Sequence, residues 1–151
     1  MYPTLVTLHV IFAGIWLSFF IIELVLRKQI NKNVGADKVS NYLTFTNTFG
    51  IVGSLGILIT GIFLVTMNGQ YGFFDMTSNH WLATKQIILV IILFMTGSLV
   101  IPNSNKVRMK LDNEDINNND GSLKKLFRAN LIINYLILLN LLFAITHRFY
   151  G

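Results

Sequence analysis

The sequence predicts an all-α protein, a bundle of four transmembrane helices with both termini outside. Three observations lead there. Only 13% of the 151 residues are charged and 53% are hydrophobic, with a mean hydropathy of +0.58; a soluble domain normally carries about 25% charged residues. Four continuous apolar runs stand out, each near the roughly 20 residues needed to cross about 30 Å of hydrocarbon. Lysine and arginine gather in two of the three connectors between those runs.

The first span covers residues 4–26. "MYP" offers no basic leader region, and the apolar run ends in Arg27-Lys28 rather than in small residues. It therefore reads as a retained helix and not as a cleaved signal peptide. The second span is 42–67, "YLTFTNTFGIVGSLGILITGIFLVTM". The third is 81–101, and Pro102 is expected to stop it, because proline lacks the N–H that a helix interior needs. The fourth is 126–146, "LFRANLIINYLILLNLLFAIT". Strands are excluded as spanning elements, since the runs do not alternate and four segments close no barrel. The whole chain, 1–151, is read as one integral membrane domain.

Charge placement orients the bundle. The connector after the first span holds Arg27, Lys28, Lys32 and Lys38 against Asp37. The connector after the third holds Lys106, Arg108, Lys110, Lys124, Lys125 and Arg128. Its acids, Asp112, Glu114, Asp115 and Asp120, do not offset this, because orientation follows Lys and Arg rather than net charge. The connector "NGQYGFFDMTSNH" has neither. Both basic connectors belong in the cytoplasm, with both termini outside. The formal charge of +5 is thus a topology signal rather than a nucleic-acid footprint. "NSNKVRMKLDNEDINNNDGS" reads as a solvated connector, partly helical near the membrane.

That direction sorts the polar residues into two layers. His9 lies roughly 7 Å and Lys85 roughly 6 Å below the outer boundary at 1.5 Å per residue. His80 opens the third span and His147 ends the fourth, so all three histidines are on the outer side. The inner side holds Glu23, Arg27, Thr44, Asn47, Thr48, Arg128, Asn130 and Asn134, read as a structural network in which Glu23 and Arg27 form an i, i+4 pair. At 100° per residue His9, Trp16, Phe20, Glu23 and Arg27 share one stripe, and Lys85, Leu89, Ile92 and Thr96 another. Both stripes should face the bundle interior, because lipid penalises them.

The absence of cysteine excludes disulfides, thiolate metal sites and cysteine nucleophiles. No G-x-S-x-G or H-E-x-x-H motif is present. Any chemistry must come from a cofactor, which puts the weight on the histidines. His9 is either a neutral imidazole bonded across the bundle or an axial ligand to a b-type haem. Lys85 is either a snorkelling lysine or an inward cation. The alternative is a copper or zinc site drawing on His9, His80 and His147 with Met67 or Met76. The small residues Gly50, Gly53, Ser54, Gly56 and Gly61 are read as helix packing, with room for a flat cofactor as the alternative.

"LHVIFAGIW" resembles the His-then-Trp signature of small four-helix bacterial membrane proteins, among them the copper-resistance D-like membrane domain and the haem-associated alternative protoporphyrinogen oxidase family. "WLATKQIILVIILF" is similar to the Trp-Leu-x-x-Lys opening of the third span in the oxidase family. The resemblance implies a bacterial inner membrane and a haem b bound by His9, with Lys85 as the second essential residue; Trp16 and His147 are further candidate haem contacts, and Lys85 is expected to meet a carboxylate of the haem or of a porphyrin substrate. After Lys85 the chain departs, reading Phe94-Met95-Thr96-Gly97 where the oxidase family has an aromatic–histidine pair. Three functions follow as expectations. One is a haem-linked membrane oxidoreductase or electron carrier acting on a porphyrin or quinone. The second is a copper-binding or transport protein. The third is a non-catalytic subunit, or homo-oligomer, of a larger membrane complex.

Overall fold

The computed structural model describes residues 2–32, 35–77, 80–113, 116 and 120–150, the last four by backbone alone. The chain forms α1 (Tyr2–Lys32), α2 (Ala36–Met67), α3 (His80–Met95), a π-helical turn (Thr96–Val100), α4 (Ile101–Asp112) and α5 (Gly121–Tyr150). Because α3, the π turn and α4 are continuous, four helical rods result, each long and apolar enough to cross a membrane. The chain is an integral membrane protein.

α1 packs chiefly on α2, and the α3–α4 rod packs on α5. The two hairpins meet where α1 touches α5 and where α2 touches α4. Large apolar side chains cover the remaining circumference, such as Val10 and Ile21 on α1 and Phe94 on α3. They meet lipid, where no hydrophobic penalty applies. Every lysine and arginine except Lys85 and Arg148 lies at or beyond the end of the bundle that carries the α1–α2 and α4–α5 connectors. We call this the basic end and the opposite one the outer end, after the orientation expected from the charges.

Pro102 does not end the third rod. The helix runs eleven residues past the expected boundary of 101, to Asp112. The π turn makes this possible. Proline removes one N–H and crowds the carbonyl four residues back, so the preceding turn must widen. Here the Ile101 N–H reaches five residues back to Thr96 O. Polar side chains then bond the disturbed backbone: Thr96 Oγ1 donates to Ile92 O at 2.8 Å, Ser98 Oγ to Phe94 O at 2.7 Å, and Asn103 Nδ2 to Leu99 O at 2.7 Å. The part of the connector next to the third span is thus helical, as expected, and the helix reaches Asp112. Asp120 caps α5 by accepting from the N–H groups of Ser122 and Leu123, and its other oxygen pairs with Lys110 at the end of α4.

The glycines of α2 are occupied by α1. A Cβ at Gly53 would lie 2.9 Å from Trp16 Cβ, and one at Gly56 would lie 2.2 Å from the Phe12 ring. These two positions permit the close α1–α2 approach and leave no room there for a flat cofactor. Deeper packing is concentrated in the basic half, where Ile30, Val39, Tyr42, Val107 and Leu126 are fully buried.

Candidate functional site

Two polar layers exist inside the bundle, and each draws on several helices. In the outer layer, α1 supplies His9, whose Nδ1 lies 2.7 Å from Thr60 Oγ1 on α2. Thr60 Oγ1 itself donates to Gly56 O at 2.6 Å, the back-bonding habit of a helical threonine. A hydroxyl has one proton, and here the helix backbone takes it. Thr60 must therefore accept from His9 Nδ1–H, which leaves Nε2 as the nitrogen with the free lone pair. Among the described residues Nε2 has no hydrogen-bond partner. A metal-ligating histidine is commonly presented this way, with its second nitrogen fixed by an outer hydrogen bond.

Lys85 on α3 lies at a similar depth, counted from the outer ends of the two helices, and is half-buried like His9. Its Nζ sits 5.5 Å from the Trp81 ring centroid, and Trp81 meets Tyr71 edge-on at 6.1 Å. No carboxylate lies within 4 Å of the ammonium among the described residues. α5 completes the layer with Asn140, whose Nδ2 donates to Lys85 O at 3.3 Å. Asn140 Oδ1 is buried and has no partner among the described residues. The outer α2–α3 loop folds onto the same place, where Phe74 N donates to Gln86 Oε1 at 2.6 Å. That contact fixes Phe74 in its left-handed backbone conformation, φ 55°.

The inner layer centres on Glu23, which is 0% exposed. Asn134 Nδ2 donates to its Oε2 at 3.0 Å, and Tyr42 OH donates to its Oε1 at 3.4 Å. Asn130 Nδ2 donates to Tyr42 OH at 2.7 Å. Arg27 makes no ion pair with Glu23; its guanidinium lies 5.5 Å above the Phe127 ring. Phe127 in turn meets Tyr42 edge-on at 5.0 Å.

The sequence-derived residues fall as follows. His9 and Lys85 are both half-buried at the outer end, on helices that do not pack directly on each other. Trp16, only 5% exposed, is a core residue seated on Gly53. His80 is exposed at the first position of α3, and the side chain of His147 lies outside the described residues. No group of three His, Cys, Asp or Glu side chains comes together among the described residues. Glu23, Asn130 and Asn134 join one network, whereas Thr44, Thr48 and Arg128 are exposed. Sequence reasoning missed Thr60 as the partner of His9, and also Tyr42 and Asn140. Asn140 was visible as the third asparagine of the fourth span, at outer depth.

Among the described residues the outer layer therefore carries an imidazole nitrogen without a hydrogen-bond partner, an ammonium without a carboxylate and a buried amide oxygen without a donor. Each is a polar group whose bonding capacity the protein leaves open, and buried polar groups are ordinarily satisfied. No protein-family model matches the chain, and neither the curated proteins nor the solved structures contain a match to it. The assignment rests on this geometry.

Proposed function

We propose that the chain is a membrane haem protein with a redox role, which holds a b-type haem in the outer half of the bundle with His9 Nε2 as an iron ligand. The supporting observation is the His9–Thr60 hydrogen bond, which fixes the imidazole tautomer that ligation requires. Two further features fit the group. Lys85 offers a cation to a propionate, or to the carboxylate of a porphyrin substrate, and has no carboxylate of its own among the described residues. Most of the large, fully buried side chains lie in the other half of the bundle.

A bound haem supplies one-electron chemistry, with its potential tuned by the axial ligand and surrounding hydrogen bonds. The protein's part is to orient His9 through Thr60, to hold an anionic group at Lys85, and to cover the layer with the Tyr71–Trp81 side of the outer loop. A redox partner that dissolves in the bilayer, such as a quinone, would reach this layer from the lipid. The resemblance of "LHVIFAGIW" and "WLATK" to the haem-associated oxidase group points the same way, and the basic connectors fit a bacterial inner membrane.

The deciding experiment is an absorption spectrum of the protein purified in mild detergent after expression with abundant haem. A Soret band is expected, absent in His9→Ala. A wild-type protein without a Soret band contradicts the proposal.

A further inference from the structure

We propose that Glu23, with Tyr42, Asn130 and Asn134, forms a proton-binding site in the basic half of the bundle, in which the Glu23 carboxyl takes up and releases a proton exchanged with the cytoplasmic side. The proposal is independent of the haem reading, because it uses none of the outer-layer residues.

Three structural facts carry it. Glu23 has no exposed surface, yet sits on a transmembrane helix one turn inside Arg27. Its two hydrogen-bond donors are both neutral, and the one from Tyr42 is long at 3.4 Å. The nearest cation, Arg27, lies over the Phe127 ring and forms no ion pair with the carboxyl, so it acts on Glu23 only from a distance. A buried carboxylate served only by neutral donors is poorly compensated for leaving water. Binding a proton removes that charge without moving a helix. Intramembrane carboxyls in such settings mark ion and proton pathways.

The surroundings also give the proton a direction. The groups bearing on Glu23 are Arg27 on its own helix and Tyr42 on α2, while α5 contributes only the amides of Asn130 and Asn134. Arg27 and Tyr42 both lie toward the basic end. A proton arriving from that side meets the Tyr42 hydroxyl, which already donates to the carboxyl and accepts from Asn130. The step is a simple protonation: carboxylate and proton give carboxylic acid, with no electron transferred. The charge of the cluster rises by one, and Arg27 has then nothing to leave Phe127 for.

Infrared spectroscopy of the whole protein in lipid nanodiscs, titrated with acid and base, tests this. A carboxylic-acid C=O band should persist at neutral pH in the wild type, after the exposed carboxyls have ionised, and it should vanish on further alkalinisation. Glu23→Gln should lose that band alone. Should that variant fail to fold, Asn134→Leu serves in its place: it removes a donor that favours the ionised form, so the band should persist to higher pH than in the wild type. A wild type with no acid band at neutral pH overturns the proposal, as does a band that survives in Glu23→Gln. A titration midpoint that follows sodium concentration makes this a cation site and equally overturns it.

Discussion

Replacing Gly56 by alanine tests the α1–α2 interface at its tightest point. The added Cβ would stand 2.2 Å from Cδ1 and Cγ of Phe12 and 2.7 Å from Cδ2. Carbon atoms pack best at about 3.5–4.0 Å, so the ring must retreat by more than about 1 Å. Turning the ring about χ2 leaves Cγ in place, so relief requires a change of χ1 within a packed interface or a shift of α1 away from α2. Overpacking of this kind costs about 1–3 kcal/mol. His9 is one turn from Phe12 and Thr60 one turn from Gly56, so the same displacement also stretches the 2.7 Å His9–Thr60 bond, whose loss adds about 0.6 kcal/mol at membrane-protein averages. Thermal unfolding in detergent should fall by roughly 2–4 °C per kcal/mol for a chain of this size. Gly50→Ala is the control: nothing lies within 4 Å of its Cβ, and the gain in helix propensity is about 0.5–1 kcal/mol. Gly56→Ala should therefore unfold at a lower temperature than the wild type and Gly50→Ala at an equal or higher one. Phe12→Ala should restore most of the loss in the double variant. Equal shifts for the two glycine variants, or no rescue, would refute the packing argument.

The other predictions concern the polar layers and the connectors. Thr60→Val keeps the shape of the side chain but removes the acceptor for His9 Nδ1–H; the Soret band of haem-loaded protein should shift or weaken, while His80→Ala should leave it unchanged. Asp120 is buried, which alone would raise its carboxyl, but the Lys110 ammonium and the N–H groups of Leu123 and Ser122 outweigh this and hold it below the ordinary carboxylate value of 3.8. Its folded value is thus the depressed one, so its contribution to stability is present above pH 3.8 and fades as the pH falls through the folded value. Asp120→Asn should flatten that acid loss, and Asp120→Ala should cost about 1 kcal/mol more through the missing cap, both read from unfolding midpoints across pH. Because the chain has no cysteine, a single cysteine at Gly69 or at Lys106 reports topology directly. The first should react with a membrane-impermeant thiol reagent in intact cells, and the second only after lysis.

Span number, order and inward stripes were legible in the sequence because hydrocarbon leaves few choices. A continuous apolar run must be helical, and a residue such as Glu23 must turn inward. Trp16 and Glu23 are buried as their shared phase predicts. What composition hid was pairing. Glu23 and Arg27 have the spacing of an ion pair, but the interior offers Arg27 the face of Phe127 and offers Glu23 the amides of α5. Tyr42 was masked by its place at the end of a span, where tyrosines are common as interfacial anchors. Its burial follows from the close packing of α2 at the basic end, beside Val39 and Leu43. Pro102 misled for a local reason: the rule that proline ends a helix assumes a regular turn before it, and a π turn evades that assumption. Asp120 carries a readable capping signal, an Asp three residues before the start of the "LKKL" run, although in composition it counts only as loop charge.

The account depends on how His9 is held, and nitrogen NMR of the protein with labelled histidine, prepared without haem, measures that directly. The His9 ring should show a protonated Nδ1, sensitive to Thr60→Val, and a bare Nε2 whose signal changes when haem is added. A protonated Nε2 with a bare Nδ1, or a ring indifferent to Thr60→Val, would contradict it.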